Sequence, residues 1–160
     1  MRKIKKLVAT LLAATMLLAM GVTAFAAEND STALAAGTYT ANQNLYKDAD
    51  CTNPSMGDAA VNDMWADITI NADKTATLVV HTHEIKYLGL TGHLGKMEIN
   101  GVAKEPAKAD VDGVTDYYFT FTNLDASMFY EGCTITGKFT TYVGIMPMSA
   151  TGYLKLTGIQ

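Results

Sequence analysis

Thr140-Thr141-Tyr142-Val143-Gly144-Ile145-Met146-Pro147-Met148-Ser149-Ala150-Thr151-Gly152-Tyr153-Leu154-Lys155-Leu156 reads as two strands joined by a tight connection. Strand side chains alternate between faces. Thr141, Val143 and Ile145 therefore share a face with Phe139, and Leu154 and Leu156 repeat it on the returning strand. These are core faces. The opposite face is expected to carry Tyr142, Met146 and Tyr153, where a half-buried hairpin ordinarily presents Lys, Thr or Ser. Two phenols and a thioether suit a flat apolar ligand, and each can ligate a metal. Pro147 lacks an N–H and is expected at the hairpin tip, where the chain leaves the ladder.

The same alternation recurs upstream. Met64, Ala66, Ile68 and Ile70 interleave with Trp65, Asp67 and Thr69. Ala76, Leu78 and Val80 interleave with Thr77, Val79 and His81, and Tyr117, Phe119 and Phe121 with Tyr118 and Thr120. A first strand is expected from Gly37 toward Leu45 and Tyr46. Asn100-Gly101 is a strong short hairpin signal. Ser55 to Val61 is too short for a stable helix and predicts a single 3₁₀ or α turn. Tyr87 to His93 reads as a glycine-broken bend, and Ala103 to Gly113 as a polar loop. Seven to nine short strands with few helix signals predict an all-β antiparallel sandwich over residues 37–160.

The beginning of the chain reads differently. Arg2, Lys3, Lys5 and Lys6 precede an uncharged apolar run, Leu7 to Met20, and Ala24-Phe25-Ala26 is an A-x-A cleavage pattern. Residues 1–26 are expected to be a secretory signal peptide and residues 27–36 a flexible mature N-terminus. Removing residues 1–26 takes four basic residues and no acidic ones, so the net charge moves from −4 to −8. That balance excludes nucleic acid and anionic lipid surfaces as natural partners. The mature protein is expected outside the cell, secreted or associated with the cell wall, with no membrane insertion after cleavage.

Two cysteines remain, Cys51 and Cys133. Outside the cell a disulfide between them is permitted, and two separate buried thiols is the other reading. A bridge is the expectation carried forward; in the chain-entropy model it would contribute roughly 3–5 kcal/mol. His81 and His83 share a strand face at a spacing that a zinc site could use, with His93 as a third ligand. A solvated strand face is the preferred reading of that pair. No nucleophile–base pair and no glycine-rich phosphate loop stands out, so an enzyme is not expected.

Four stretches together resemble the NEAT (near-iron-transporter) family, haem-binding immunoglobulin-like modules of Gram-positive bacterial surfaces. Gly37-Thr38-Tyr39-Thr40 resembles its first strand and Pro54-Ser55-Met56-Gly57-Asp58-Ala59-Ala60 its lip. Leu88-Gly89-Leu90-Thr91-Gly92-His93-Leu94-Gly95-Lys96-Met97 resembles a central bend, and Tyr153-Leu154-Lys155-Leu156 the last strand. The resemblance implies an immunoglobulin-like sandwich that holds non-covalent b-type haem between lip and final hairpin. It implies a role in extracellular iron acquisition, with haem-donor or haem-acceptor proteins as partners. Ser55, Met56, Tyr142, Met146, Met148 and Tyr153 are the residues this site would use, with Ser55 meeting a propionate. Haem-binding members carry Tyr-x-x-x-Tyr on the last strand; here Tyr153 is followed at that spacing by Thr157. Tyr153 is therefore the expected iron ligand without its usual partner, and Met56 with Met146 or Met148 is the alternative pair. A haem-free module that binds a protein partner and a structural or adhesive sandwich are the competing readings.

Overall fold

The computed structural model describes residues 32–87, 89–111 and 114–160. The expected signal segment, and the first part of the stretch 27–36, lie outside the described residues. The described residues form ten strands: β1 Gly37–Tyr46, β2 Trp65–Ile70, β3 Thr75–Thr82, β4 Ile85–Tyr87, β5 Leu90–Ile99, β6 Val102–Lys104, β7 Ala107–Val111, β8 Val114–Asp125, β9 Thr134–Val143 and β10 Met146–Thr157. Two short 3₁₀ turns complete it, the lip at Met56–Ala60 and a second at Ala126–Met128. No helix among the described residues is long and apolar enough to cross a membrane.

Every pairing is antiparallel, in the order β4-β5-β9-β10-β1-β2-β3-β8-β7, with β6 added to β5. β1 divides its edges. Gly37 to Asn42 pair with β2, and Asn42 to Tyr46 pair with β10. One strand thus links two layers, and the protein is an all-β antiparallel sandwich. A single core fills the space between the layers, with Leu45, Ile68, Leu78, Leu94, Phe119, Phe121, Ile135 and Leu154 all fully or almost fully buried. These are the alternating apolar positions of the sequence, and burying each such side chain contributes about 1.5–3 kcal/mol.

Several local expectations change. Tyr87 to His93 is not a bend throughout, because β4 and β5 pair as a hairpin with Tyr87 opposite Leu90. The polar stretch after Asn100-Gly101 contains β6 and β7, which pair with β5 and β8. Asn100 and Gly101 take φ of 52° and 75°, the positive values that a two-residue hairpin turn demands. Within the stretch expected to be flexible, Leu34 donates its N–H to Phe129 O at 3.0 Å and packs on the core. The final hairpin turns at Gly144-Ile145, so Pro147 lies inside β10 opposite Tyr142. There β10 has run past the end of β1, which pairs only with Tyr153 to Thr157, and the missing N–H leaves no ladder bond unmade.

Candidate functional site

The lip is fastened to the end of β1 by both backbone groups of Leu45. Ser55 N–H donates to Leu45 O at 2.8 Å, and Leu45 N–H donates to Asp58 Oδ1 at 2.6 Å. Asp58 is itself buried, so this charge-assisted bond is a strong one. Ser55 caps the turn, its Oγ receiving Gly57 N–H at 3.4 Å. Gly57 then lies against the inner face of the second layer. A Cβ there would stand 3.1 Å from both Leu45 Cδ2 and Thr141 Oγ1. A side chain there would push Leu45 and Thr141 back by a few tenths of an ångström, so glycine suits the close approach of the lip to β9.

Residues directly opposite in an antiparallel pair share a face. Met146 is opposite Val143 and Met148 opposite Thr141. Both methionines therefore stand on the core-ward face of the hairpin, the face the lip meets. Leu90 joins them from β5, two residues before Gly92, which is opposite Val143. Met56 is 42% exposed, Met146 61% and Met148 49%, and Leu90 and Ile145 are exposed as well. This end, the mouth, thus exposes apolar side chains of the lip, β5 and the hairpin, three of the six methionines that follow residue 26 among them.

The six residues expected at the site are divided by the structure. Ser55 and Met56 are on the lip, and Met146 and Met148 are on the core-ward face of the hairpin that the lip approaches. Tyr142 and Tyr153 are not on that face: they stand on the outer face of the same sheet, opposite Pro147 and Thr136. The expectation that Met146 shares a face with Tyr142 fails because the chain reverses between them. Alternation counted across Gly144-Ile145 as though the strand continued puts Met146 on the wrong side. Ile145, expected in the core, is 94% exposed at the tip for the same reason. The phenols are also far apart, six residues along β9 or roughly 20 Å. Tyr142 is committed elsewhere. Its ring lies over Gly95, where a Cβ would collide with it, and stacks on His93 at 5.5 Å between centroids. His93 stacks in turn on Tyr117 at 5.6 Å, with Lys108 Nζ 4.9 Å from the Tyr117 centroid. Tyr153 is half-buried opposite Tyr46 of β1.

A second polar cluster lies on the outer face of β2, β3 and β8. His81 Nδ1 is 2.8 Å from Asp116 Oδ2, and His81 Nε2 is 2.9 Å from Asp67 Oδ2. Trp65 stacks on the imidazole at 4.3 Å between centroids. Burial pushes the His81 pKa down, but hydrogen bonds and charge attraction from Asp116 and Asp67 outweigh it and raise the pKa to about 9. The ring is a buried imidazolium between two carboxylates rather than part of a solvated face. His83 Nε2 bonds Asp63 Oδ1 at 2.6 Å and its Nδ1 bonds Glu84 O. Among the described residues no group of three or more His, Cys, Asp or Glu side chains could hold a metal ion. Asp116 carries no signal of its own in the sequence. It is reachable only through the register that sets Tyr118, two residues on, opposite His81.

Both cysteines are free, against the expected bridge. Cys51 Sγ meets Thr134 Oγ1 at 3.8 Å. Thr134 is exposed on the outer face, while Cys133, one residue earlier, is buried in the core. The Cys51 thiol thus meets the Thr134 hydroxyl and not the buried Cys133 thiol.

The molecule is thus defined as an antiparallel β-sandwich whose last strand runs past the end of β1 and whose final hairpin is met at its inner face by a short lip. No protein-family model, curated protein or solved structure matches the chain.

Proposed function

We propose that the protein is an extracellular haem-binding module, NEAT-like and immunoglobulin-like, that holds haem between lip and final hairpin. The observation that carries the reading is the exposure of Met56 on the lip and of Met146 and Met148 on the core-ward face of the hairpin, where the lip's Gly57 abuts Thr141 opposite Met148. A porphyrin is a wide apolar plate and needs a slot, with a donor to iron and polar groups at the rim. The residues present fit that group. Thioethers from lip and hairpin are soft neutral donors suited to ferrous iron. Leu90 and Ile145 add apolar wall, and the half-buried Ser55 hydroxyl stands at the start of the lip. When bound, the haem would supply ligand-exchange and electron-transfer chemistry at iron. The chain's own part is to hold the plate, with Met56 on the lip side and Met146 or Met148 on the hairpin side. This departs from the expected Tyr153 ligand, because Tyr153 faces away from the lip.

A saturable Soret change on titrating the mature protein with haemin, before and after dithionite, supports the reading. No saturable change in either state removes it. One observation favours a second reading, a protein-binding module. From Met146 to Gly152 one edge of β10 has no neighbouring strand among the described residues, an edge to which a partner's extended segment can add.

A further inference from the structure

We propose that the Met146-Pro147-Met148 pair and Met56 form a binding site for monovalent copper. The inference goes beyond the haem reading and does not rest on it, since a d¹⁰ ion needs only the thioethers and no porphyrin slot. Three features carry it. First, Met146 and Met148 lie two residues apart on one strand face, so their Cα atoms are about 7 Å apart. Unbranched, three-bond side chains can close on a single ion from that spacing. Second, Met56 belongs to the lip that abuts this hairpin. Its neighbour Gly57 abuts Thr141, and Thr141 is the residue directly opposite Met148. Third, all three side chains are exposed where burial would be the ordinary state of methionine; Met97, in the core, is fully buried.

Thioether sulfur is soft and neutral, and among biological ions it selects Cu(I) over Zn(II) and over the oxygen-seeking Mg(II) and Ca(II). It carries no proton to lose. Binding at thiolate or imidazole ligands weakens as pH falls, because protons compete for the donor; binding here is insensitive to pH. The net charge of −8 after removal of residues 1–26 favours approach of a cation. Pro147 between the two methionines fixes its own φ and stiffens the segment that presents them.

The test is anaerobic competition for Cu(I) between the mature protein and the chromogenic chelator bicinchoninate, at pH 7.5 and pH 5. The expected result is one copper per chain with little change in affinity between the two pH values. Met146→Leu with Met148→Leu is expected to weaken binding roughly tenfold or more, and Met56→Leu to weaken it less. Cys51→Ser leaves it unchanged. Exposed Met-to-Leu replacements conserve volume and keep the fold, which far-UV circular dichroism checks. If the double variant does not fold, Met56→Leu alone carries the comparison. No competition by the wild type, wild-type affinity in the folded double variant, or loss of binding in Cys51→Ser would each overturn the proposal. Haemin binding is read separately in the Soret band, so either reading can fail without the other.

Discussion

His81 shows what a single side chain contributes here. Its folded pKa of about 9 lies above the ordinary 6.5, with Asp116 and Asp67 as the cause against the opposing effect of burial. A raised pKa means that the native state holds the proton more tightly than the unfolded chain. The stabilisation is fully present below about pH 6.5 and is lost as pH rises through about 9. Asp67 is partly exposed, so after discounting for solvent the contribution is about 2–3 kcal/mol. Chemical denaturation at pH 6 and pH 9.5 should show a loss of that order, and His81→Gln should flatten the difference. Trp65, the only tryptophan, stacks on this ring, so its fluorescence should titrate in the same interval. An unchanged Trp65 signal between pH 6.5 and 10 would contradict the assigned protonation.

The lip is an element that depends on one carboxylate. Asp58→Ala leaves Leu45 N–H without a partner in a buried place, at a cost of about 1.5–3 kcal/mol. The melting temperature should fall, and amide exchange at residues 55–61 should quicken more than in β3. Equal protection of the lip in wild type and variant would reject the anchoring role. Elements differ in how readable they were. β2, β3, β8 and the final hairpin are legible because one face of each is largely apolar at period two, whereas the core face of β1 carries the buried Gln43. β6 and β7 are not legible, since Val102, Ala103 and Lys104 are all exposed and Lys108 and Asp110 break any apolar rhythm. The residues of the candidate site were legible as residue types but not as a set. Alternation assigns faces only within one strand, and the reversal at Gly144-Ile145 resets it. Placing the turn two residues too late, at Pro147, moved Met146 to the side of the tyrosines. The packing of Gly57 on Thr141, which fixes where the mouth lies, joins positions far apart in sequence and has no local signal.

Across the whole molecule, one core carries stability and one end exposes methionines of the lip and of the final hairpin. The two cysteines take part in neither. Burial raises the Cys133 thiol above its ordinary pKa and makes it unreactive in the native state. Thiol titration of the non-reduced protein should find two groups after denaturation; finding none would mean a bridge that this fold does not accommodate. The central claim is that haem is held by methionines at the mouth and not by Tyr153. Haemin titration of wild type, Tyr153→Phe and Met146→Leu with Met148→Leu, followed in the Soret band after reduction with dithionite, tests it most directly. The account predicts that Tyr153→Phe binds as wild type does, while the double methionine variant loses the ferrous spectrum and binds roughly tenfold or more weakly. Retained ferrous binding in the double variant, with loss in Tyr153→Phe, would contradict it.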